Sequence, residues 1–196
     1  RMTIPIVMSD YSGRQAEIYD IVHGNKSYQS EVNYIIDIAD SNGISSKSVL
    51  DVGCGTGMHM SEFQSMGWDV QGVDISNAML DIARSRLGND IVLEDSIEKI
   101  QDKFDLAISM FNVINHIGGR YDNLEEFFRG VSSKMNRGGI LVFDCFNHDA
   151  FLREPPKVTT KQLDNGFELR TIPLASPHES KLILNCEYTN GAGQNH

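Results

Sequence analysis

Three glycines spaced by one residue, Gly53, Gly55 and Gly57, follow the short apolar run Val49 to Val52. Glycine has no Cβ, so a turn made of glycines can adopt positive φ and lets a ligand approach the bare backbone. A helical pattern comes next, and its first amides lack partners within the helix and are free to donate to that ligand. The stretch is therefore predicted to be a strand, a ligand-binding turn and a helix.

Acidic residues accompany this turn at three points along the chain. Asp51 lies inside the strand before the first glycine, and Asp74 and Asp95 end the next two apolar runs. A carboxylate at the end of a strand can accept hydrogen bonds from both hydroxyls of a ribose, which makes Asp74 a candidate ribose ligand. Capping of the next helix is the other role open to Asp74, but Ser76 already offers that cap.

Alternating strands and helices would position these residues. Apolar runs predict five strands, at residues 49–52, 69–74, 91–95, 104–110 and 140–145. Amphipathic patterns predict helices around them, at residues 9–23, 32–39, 76–87 and 121–135. This alternation indicates an α/β fold with a doubly wound, mainly parallel sheet and helices on both faces. Two further stretches of alternating polarity, 167–172 and 182–188, predict an antiparallel hairpin near the C-terminus.

The glycine turn and the three acids stand in an order that resembles a known family. The turn has the spacing G-x-G-x-G and lacks the G-x-G-x-x-G pattern of dinucleotide-binding turns. Asp51, Asp74 and Asp95 lie at or near the ends of three successive predicted strands. With this arrangement, residues 49–146 resemble the class I S-adenosylmethionine-dependent methyltransferases, which implies a Rossmann-like fold. The resemblance narrows to the nucleotide-linked amino-sugar N,N-dimethyltransferases of the desosamine and mycaminose type, on the residues at 19–20, 26–28, 79–84 and 110–116.

The resemblance implies S-adenosylmethionine as the cofactor and a role for each acid. Asp51 would help to bind the methionine ammonium, since a carboxylate favours an ammonium group, and Asp74 would bind the ribose. Asp95, with Ser96, would accept a hydrogen bond from the adenine amino group, while Ile75 would pack against the adenine ring. The alternatives are a brace for the glycine turn at Asp51 and an exposed loop acid at Asp95. The other residues implied in cofactor binding are Tyr19, Gly53, Cys54, Gly55, Gly57 and Met110.

Two residues are candidates for contact with the substrate amine. In some of the resembling enzymes a histidine after the fourth strand and a tyrosine near the N-terminus sit beside the sugar amine, and the matching positions are His116 and Tyr11. His116 would help to bind the substrate or remove its proton, or else is a structural or exposed histidine. Tyr11 would cover the sulfonium, because an aromatic face attracts a cation, or else packs in the core of the first helix.

Length and composition set the wider expectations. At 196 residues the chain is predicted to be a single domain, with an N-terminal helical lid at 1–43, a cofactor-binding core at 44–146 and a substrate-side segment at 147–196. The net charge of −10 counts against nucleic acid as a partner, and no apolar run could span a bilayer. Three cysteines without metal spacing favour the reducing cytoplasm.

Asp144 and the polar residues at 147–149 raise the question of a metal site. Metal-dependent methyltransferases of the catechol type need acids at several strand ends, whereas the fourth strand here ends in Met110. These residues are therefore predicted to be polar loop residues near the substrate mouth, with no metal bound.

The expected reaction is methyl transfer from S-adenosylmethionine to a small molecule, most closely an amine of a nucleotide-linked amino sugar. O-methylation of another small molecule, an NAD-dependent oxidoreductase and a non-catalytic adenosyl-binding module are the alternatives. The family usually completes its sheet with two more strands beyond a helix. Their absence from the pattern predicts a chain that has been cut short, with the C-terminal hairpin on the substrate side. Monomer and homodimer both fit the sequence.

Overall fold

The computed structural model describes seven stretches of the chain, residues 4–6, 14–24, 26–117, 121–145, 157–162, 167–176 and 181–190. They belong to two compact units. Tyr11–Cys145 forms the larger unit, and Arg1–Asp10 together with Phe146–His196 forms the smaller one. The division of a single domain into a lid, a core and a substrate-side segment stays a prediction.

Strands and helices alternate through the larger unit, as the sequence predicts. The strands of the whole chain are, in order, β1 (Ile4–Ile6), β2 (Ser48–Val52), β3 (Asp69–Val73), β4 (Val92–Glu94), β5 (Phe104–Ser109), β6 (Met135–Phe143), β7 (Thr159–Gln162), β8 (Phe167–Ser176) and β9 (Lys181–Asn190). The helices are α1 (Arg14–His23), α2 (Tyr28–Ser41), α3 (Met58–Ser65), α4 (Asn77–Leu87), α5 (Val113–His116) and α6 (Tyr121–Ser133), with a 3₁₀ turn at Ile97–Lys99. None of the helices in the described part of the chain has the length and apolar character that a membrane span requires.

The larger unit is built on a five-stranded sheet in which all neighbouring strands are parallel. Its order is β4-β3-β2-β5-β6, so β2, which leads into the glycine turn, lies at the centre. Asp51 in β2 is level with Gly72 of β3 and Ile108 of β5. The predicted parallel α/β fold is confirmed. Because parallel strands end at the same edge, Asp51 near the end of β2 and the acids directly after β3 and β4 come to neighbouring positions.

Helices cover both faces of this sheet because successive strand residues point to opposite sides. On one side, Val49 packs in a cluster to which α2, α3 and α4 contribute Val32, Phe63 and Leu80. On the other side, Leu50 packs in a cluster that includes Val131 of α6. The larger unit therefore has the doubly wound arrangement that the alternation of elements predicts.

Strand β6 departs from the prediction in where it begins. The sequence predicts a helix up to Met135 and a strand from Ile140, but α6 ends at Ser133 and β6 already begins at Met135. Gly138 has a positive φ of 88°. The register between β5 and β6 shifts between Phe104 and Leu106, near the start of the pairing. The glycines therefore make an irregularity inside the strand rather than a turn before it.

The smaller unit is a four-stranded antiparallel sheet with the order β1-β9-β8-β7. Its centre is the hairpin of β8 and β9, in which Phe167 pairs with Asn190 and Ser176 pairs with Lys181. This hairpin agrees with the predicted one, although both strands are longer than the alternating stretches in the sequence. The flanking strands β1 and β7, of three and four residues, are not predicted by the sequence pattern.

Candidate functional site

The glycine turn after β2 adopts a backbone geometry that favours glycine. Gly53, Gly55 and Gly57 have φ values of 84°, 53° and 76°. A Cβ at position 53 would lie 2.5 Å from Val113 of α5, and one at position 57 would lie 3.0 Å from Leu87 of α4. Nothing in the described structure lies within 4 Å of a Cβ built at Gly55. The outer two glycines therefore admit neighbouring helices, and the middle one leaves the backbone open.

Several amides of the turn itself are occupied within the protein. Gly53 and Cys54 both donate to the carbonyl of Val73 at the end of β3, at 2.7 and 3.0 Å, and Gly57 donates to the carbonyl of Cys54. These bonds fix the turn to the neighbouring strand. Helix α3, which begins at Met58, has no side-chain cap at its N-terminus. Its first amides stay candidates for the predicted contact with a ligand.

Asp51 lies buried at the centre of the sheet, with 2% of its surface exposed. One carboxylate oxygen, Oδ2, has no hydrogen-bond partner among the described residues. Burial raises the pKa of Asp51 to about 7, although the charge of His59 opposes the rise. A buried carboxylate oxygen without a partner is costly unless a ligand supplies one. Asp51 is thus suited to the predicted contact with an ammonium group.

Asp74, directly after β3, holds the glycine turn and the next helix at the same time. Its Oδ2 accepts the amide of Gly55 at 2.8 Å, and its Oδ1 accepts the amide of Ser76 at 2.8 Å. Ser76 caps α4, as predicted, by accepting the amide of Met79. Burial raises the pKa of Asp74 in spite of the two amide bonds. Each carboxylate oxygen keeps a further lone pair, so the group can still accept both ribose hydroxyls.

Asp95 and Ile75, two of the residues predicted to contact the adenine, are exposed to solvent, and Ser96 beside Asp95 is half-buried. Asp95 follows β4 and pairs with Lys99 at 2.7 Å, and that ammonium group holds the pKa of Asp95 below its ordinary value. Ser96 donates to the carboxylate of Glu98. Ile75 exposes 83% of its surface, which leaves a large apolar side chain available to cover a ring. The adenine contacts of these residues stay predictions.

The segment after β5 carries the predicted substrate-side histidine. Met110 packs against the core beside the end of the strand, and α5 begins three residues later. His116 ends this short helix, and its charge opposes the rise in the pKa of Asp74. The structure thus brings His116 within electrostatic reach of the candidate ribose ligand.

Helix α1 packs against the same segment through aromatic rings. Tyr19 and His23 lie edge-on to the ring of Phe111, at centroid distances of 6.2 and 4.8 Å. The ammonium group of Lys26 lies 4.1 Å from the centre of that ring. Tyr19, which is predicted to bind the cofactor, is therefore next to the segment that leads to His116.

An ion pair that the sequence analysis does not predict ties α1 to the glycine turn. Asp20 pairs with Arg86 of α4 and accepts the hydroxyl of Thr56 at 2.6 Å. Arg86 also donates to the backbone carbonyl of Thr56. Asp20 lies 36 residues from Thr56 and 66 residues from Arg86, so no local sequence pattern points to these contacts.

A second network, also not predicted, connects α2 with the surroundings of Asp51. Glu31 Oε2 lies 2.8 Å from both His59 Nε2 and Lys26 Nζ. Burial opposes ionisation of Glu31, but hydrogen bonds from these two partners hold its pKa below the ordinary value. The ring of Tyr28 lies edge-on to His59 at 4.9 Å, and burial raises the pKa of Tyr28 to about 12. Since the charge of His59 acts on Asp51, the network reaches the candidate site.

Asp144, predicted to be a polar loop residue, lies directly after β6 and binds the segment after β5. Its carboxylate accepts the amides of Phe111 and Asn112. Tyr11 and the polar residues at 147–149 lie outside the described residues. Within the described ranges, no group of three or more His, Cys, Asp or Glu side chains is arranged to hold a metal ion.

Comparison with known proteins gives a family and several relatives. A family model described as "Methyltransferase domain" matches residues 13–187. The dTDP-3-amino-3,6-dideoxy-alpha-D-glucopyranose N,N-dimethyltransferase of Streptomyces fradiae is 33% identical over 140 residues, which are 69% of this chain and 54% of the relative. The chain spans about half the length of the curated N,N-dimethyltransferases that it matches.

Solved structures share the fold of this chain. The crystal structure of Streptomyces venezuelae DesVI has a TM-score of 0.75 at 22% identity, covering 95% of this chain and 81% of that one. The structure of SAM-bound CalS10, an amino pentose methyltransferase from Micromonospora echinaspora, has a TM-score of 0.71 at 21% identity, covering 93% and 78%. At such identities the similarity concerns the fold alone.

Proposed function

The chain belongs to the methyltransferase-domain family, and on that premise we propose that it transfers a methyl group from S-adenosylmethionine to an amine of a nucleotide-linked amino sugar. Its fold is the Rossmann-like fold of class I methyltransferases. Relatives similar to this chain are named for dTDP-linked amino sugars, which supports the substrate class.

One observation carries the cofactor assignment: two carboxylates with different tasks stand at neighbouring strand ends. Asp51 is buried with an unpartnered oxygen, which suits an ammonium group. Asp74 holds the glycine turn and keeps lone pairs for a vicinal diol. S-adenosylmethionine carries both an ammonium group and a ribose diol in one molecule. NAD has ribose diols but no ammonium group, so it would leave the oxygen of Asp51 without a partner.

The residues of this site would mainly align and desolvate the reactants. When bound, the cofactor supplies a methyl group on a sulfonium, which is already a good leaving group. In our proposal Asp51 holds the ammonium group of the cofactor, Asp74 holds its ribose, and Ile75 covers its adenine ring. Holding the acceptor amine in line with the methyl group and excluding water then accounts for most of the rate. His116 accepts the proton that an ammonium substrate must lose before it can attack.

The proposal includes a small-molecule substrate, a cytoplasmic setting and no nucleic-acid partner. The net charge of −10 opposes binding to a polyanion.

Burial raises the pKa of the Cys54 thiol well above its ordinary value, so this cysteine serves as a packing residue rather than a nucleophile. Whether the chain is a monomer or a homodimer can be measured by light scattering.

The proposed function is tested by binding and transfer together. The protein is titrated with S-adenosylhomocysteine by calorimetry, with NAD as the parallel ligand. It is then incubated with S-adenosylmethionine and a dTDP-linked amino sugar, and the products are followed by mass spectrometry. The same nucleotide sugar with a hydroxyl in place of the amine is the matched control substrate.

We expect micromolar binding of S-adenosylhomocysteine, no comparable binding of NAD, and the addition of one or two methyl groups to the amino sugar alone. Preferential binding of NAD would overturn the cofactor assignment. Methylation of the hydroxyl sugar instead would overturn the acceptor. Binding without transfer to either sugar would favour a non-catalytic adenosyl-binding module.

We expect His116→Ala to lower the turnover number about 100-fold or more, because a positioned general base typically contributes a factor of about 10²–10⁴. The affinity for S-adenosylhomocysteine should stay within about twofold, since a base on the substrate side adds little to cofactor binding. The measurement is a pH–rate profile of both proteins. His116→Gln serves as the control, because glutamine keeps hydrogen-bonding capacity but cannot take up the proton. Unchanged turnover in both variants would remove His116 from the mechanism.

A further inference from the structure

We propose that Asp144 is a positioning residue for the methyl transfer, and that its carboxylate holds Phe111 and Asn112 in the left-handed conformation that directs α5 and His116 toward the cofactor site. The inference rests on the proposed function, which supplies the reaction that the positioning serves. It assigns a task to an acid that the sequence places merely among polar loop residues.

The backbone of the segment after β5 is strained. Phe111 has a φ of 70° and Asn112 a φ of 64°, and they are the non-glycine residues with positive φ in the described part of the chain. Asparagine tolerates this region, but a bulky aromatic residue rarely enters it, because its Cβ crowds the following carbonyl oxygen. Such strain persists only where the surrounding structure holds it, and it concentrates at functional sites.

Asp144 supplies the contact that holds this conformation. Its Oδ2 accepts the amide of Phe111 at 3.0 Å, and its Oδ1 accepts the amide of Asn112 at 2.5 Å. Two successive amides that point at one anion form a concave anion-binding arrangement, and hydrogen bonds to a charged acceptor are the strong ones. Ser109 of β5 pairs with Phe143 of β6, so Asp144 reaches the segment from the end of a paired strand.

The held segment contacts the parts of the site that must be aligned. Val113 packs against Gly53, where an added Cβ would lie 2.5 Å from the Val113 side chain. The ring of Phe111 lies edge-on to Tyr19 of α1 at a centroid distance of 6.2 Å. Three residues after Val113, His116 comes within electrostatic reach of Asp74. A change in the backbone at 111–112 would therefore move the histidine relative to both the glycine turn and α1.

The test compares Asp144→Asn and Asp144→Ala with wild type in steady-state kinetics. Asparagine keeps one acceptor oxygen and turns an NH₂ group toward the second amide, and alanine keeps neither acceptor. We expect the turnover number to fall at least about 10-fold in Asp144→Asn and further in Asp144→Ala, because misplacement of about 1 Å can cost 100-fold in rate. The KM for the amino sugar and the affinity for S-adenosylhomocysteine should stay within about threefold.

Asp105→Asn is the matched control, because Asp105 lies in β5 and its carboxylate accepts from the side chain of Asn136, away from the site. Melting temperatures establish that all variants are folded. Hydrogen exchange of the Phe111 and Asn112 amides gives a readout that does not depend on activity. We expect slow exchange in wild type and Asp105→Asn, fast exchange of both amides in Asp144→Ala, and fast exchange of at least one of them in Asp144→Asn.

Turnover that is unchanged in the Asp144 variants would overturn the positioning role, and so would a loss of turnover that is matched by an equal loss of cofactor affinity. If the wild type transfers no methyl group, the proposed function fails separately. The exchange rates then decide the structural part of the inference: amides that stay protected in Asp144→Ala would overturn it, and amides that become exposed to exchange would support it.

Discussion

We expect Asp74→Ala to weaken the binding of S-adenosylhomocysteine at least about 100-fold, as measured by isothermal titration calorimetry. The substitution removes the two oxygens that are placed to accept the ribose hydroxyls. Hydrogen bonds to a charged group are worth about 1.5–3 kcal/mol each, so the loss of two corresponds to a factor of about 100 or more. The same change leaves the amides of Gly55 and Ser76 without their acceptor, which loosens the glycine turn as well.

Two further variants separate these effects. Asp74→Asn keeps the shape and one acceptor oxygen, so we expect about 10-fold weaker binding with a melting temperature close to wild type. Asp81→Ala is the matched control, since Asp81 is an exposed acid of α4 that pairs with Arg84. Its affinity should stay within about twofold of wild type. Wild-type affinity in a folded Asp74→Ala would limit Asp74 to bracing the turn.

The sheet could be predicted because each of its strands has a recognisable pattern in the local sequence. Buried parallel strands are short continuous apolar runs, and β2, β3 and β5 begin and end within a few residues of the predicted positions. The segment after β5 shows the limit of this reasoning. Phe111, Val113 and Ile114 continue the apolar character of the strand, yet the chain turns through two left-handed residues into α5. A helix of four residues is too short to produce a periodic pattern.

The acidic residues of the site could be predicted from the sequence, whereas their hydrogen-bond partners could not. Asp51 and Asp74 stand at strand ends, which parallel topology brings to one edge of the sheet. Asp74 binds an amide 19 residues away, and Asp144 binds amides 32 and 33 residues away. Contacts over such separations depend on the order of the strands and leave no periodic trace in the sequence. The role of Asp144 therefore emerges only when β5 and β6 are paired.

The affinity for S-adenosylhomocysteine should fall about 10-fold between pH 8 and pH 6 if Asp51 binds its ammonium group, because a carboxyl group with a pKa of about 7 is mostly ionised at the first pH and mostly protonated at the second. Protonation of the ligand's own amine works in the opposite direction, since it creates the cation that the site binds. The sign of the change therefore identifies a group on the protein. Calorimetric titrations at several pH values measure it.

Asp51→Asn isolates the contribution of this carboxylate, since any pH dependence that remains in the variant reports on other groups such as Asp74, whose pKa is also raised. We expect weak binding in the variant and a flatter pH profile.

The stability of the fold should change with pH in the opposite sense. Burial raises the pKa of Asp51 from 3.8 in the unfolded chain to about 7. The free energy of unfolding is therefore highest, as far as this group is concerned, below about pH 4, where Asp51 is protonated in both states. It falls as the pH rises through 7, because the buried carboxyl group must then ionise. Asp51→Asn should therefore melt at a higher temperature than wild type at pH 8, with the difference shrinking toward pH 4. A variant that binds like wild type and melts lower at pH 8 would show that Asp51 supports the fold and does not hold the ligand.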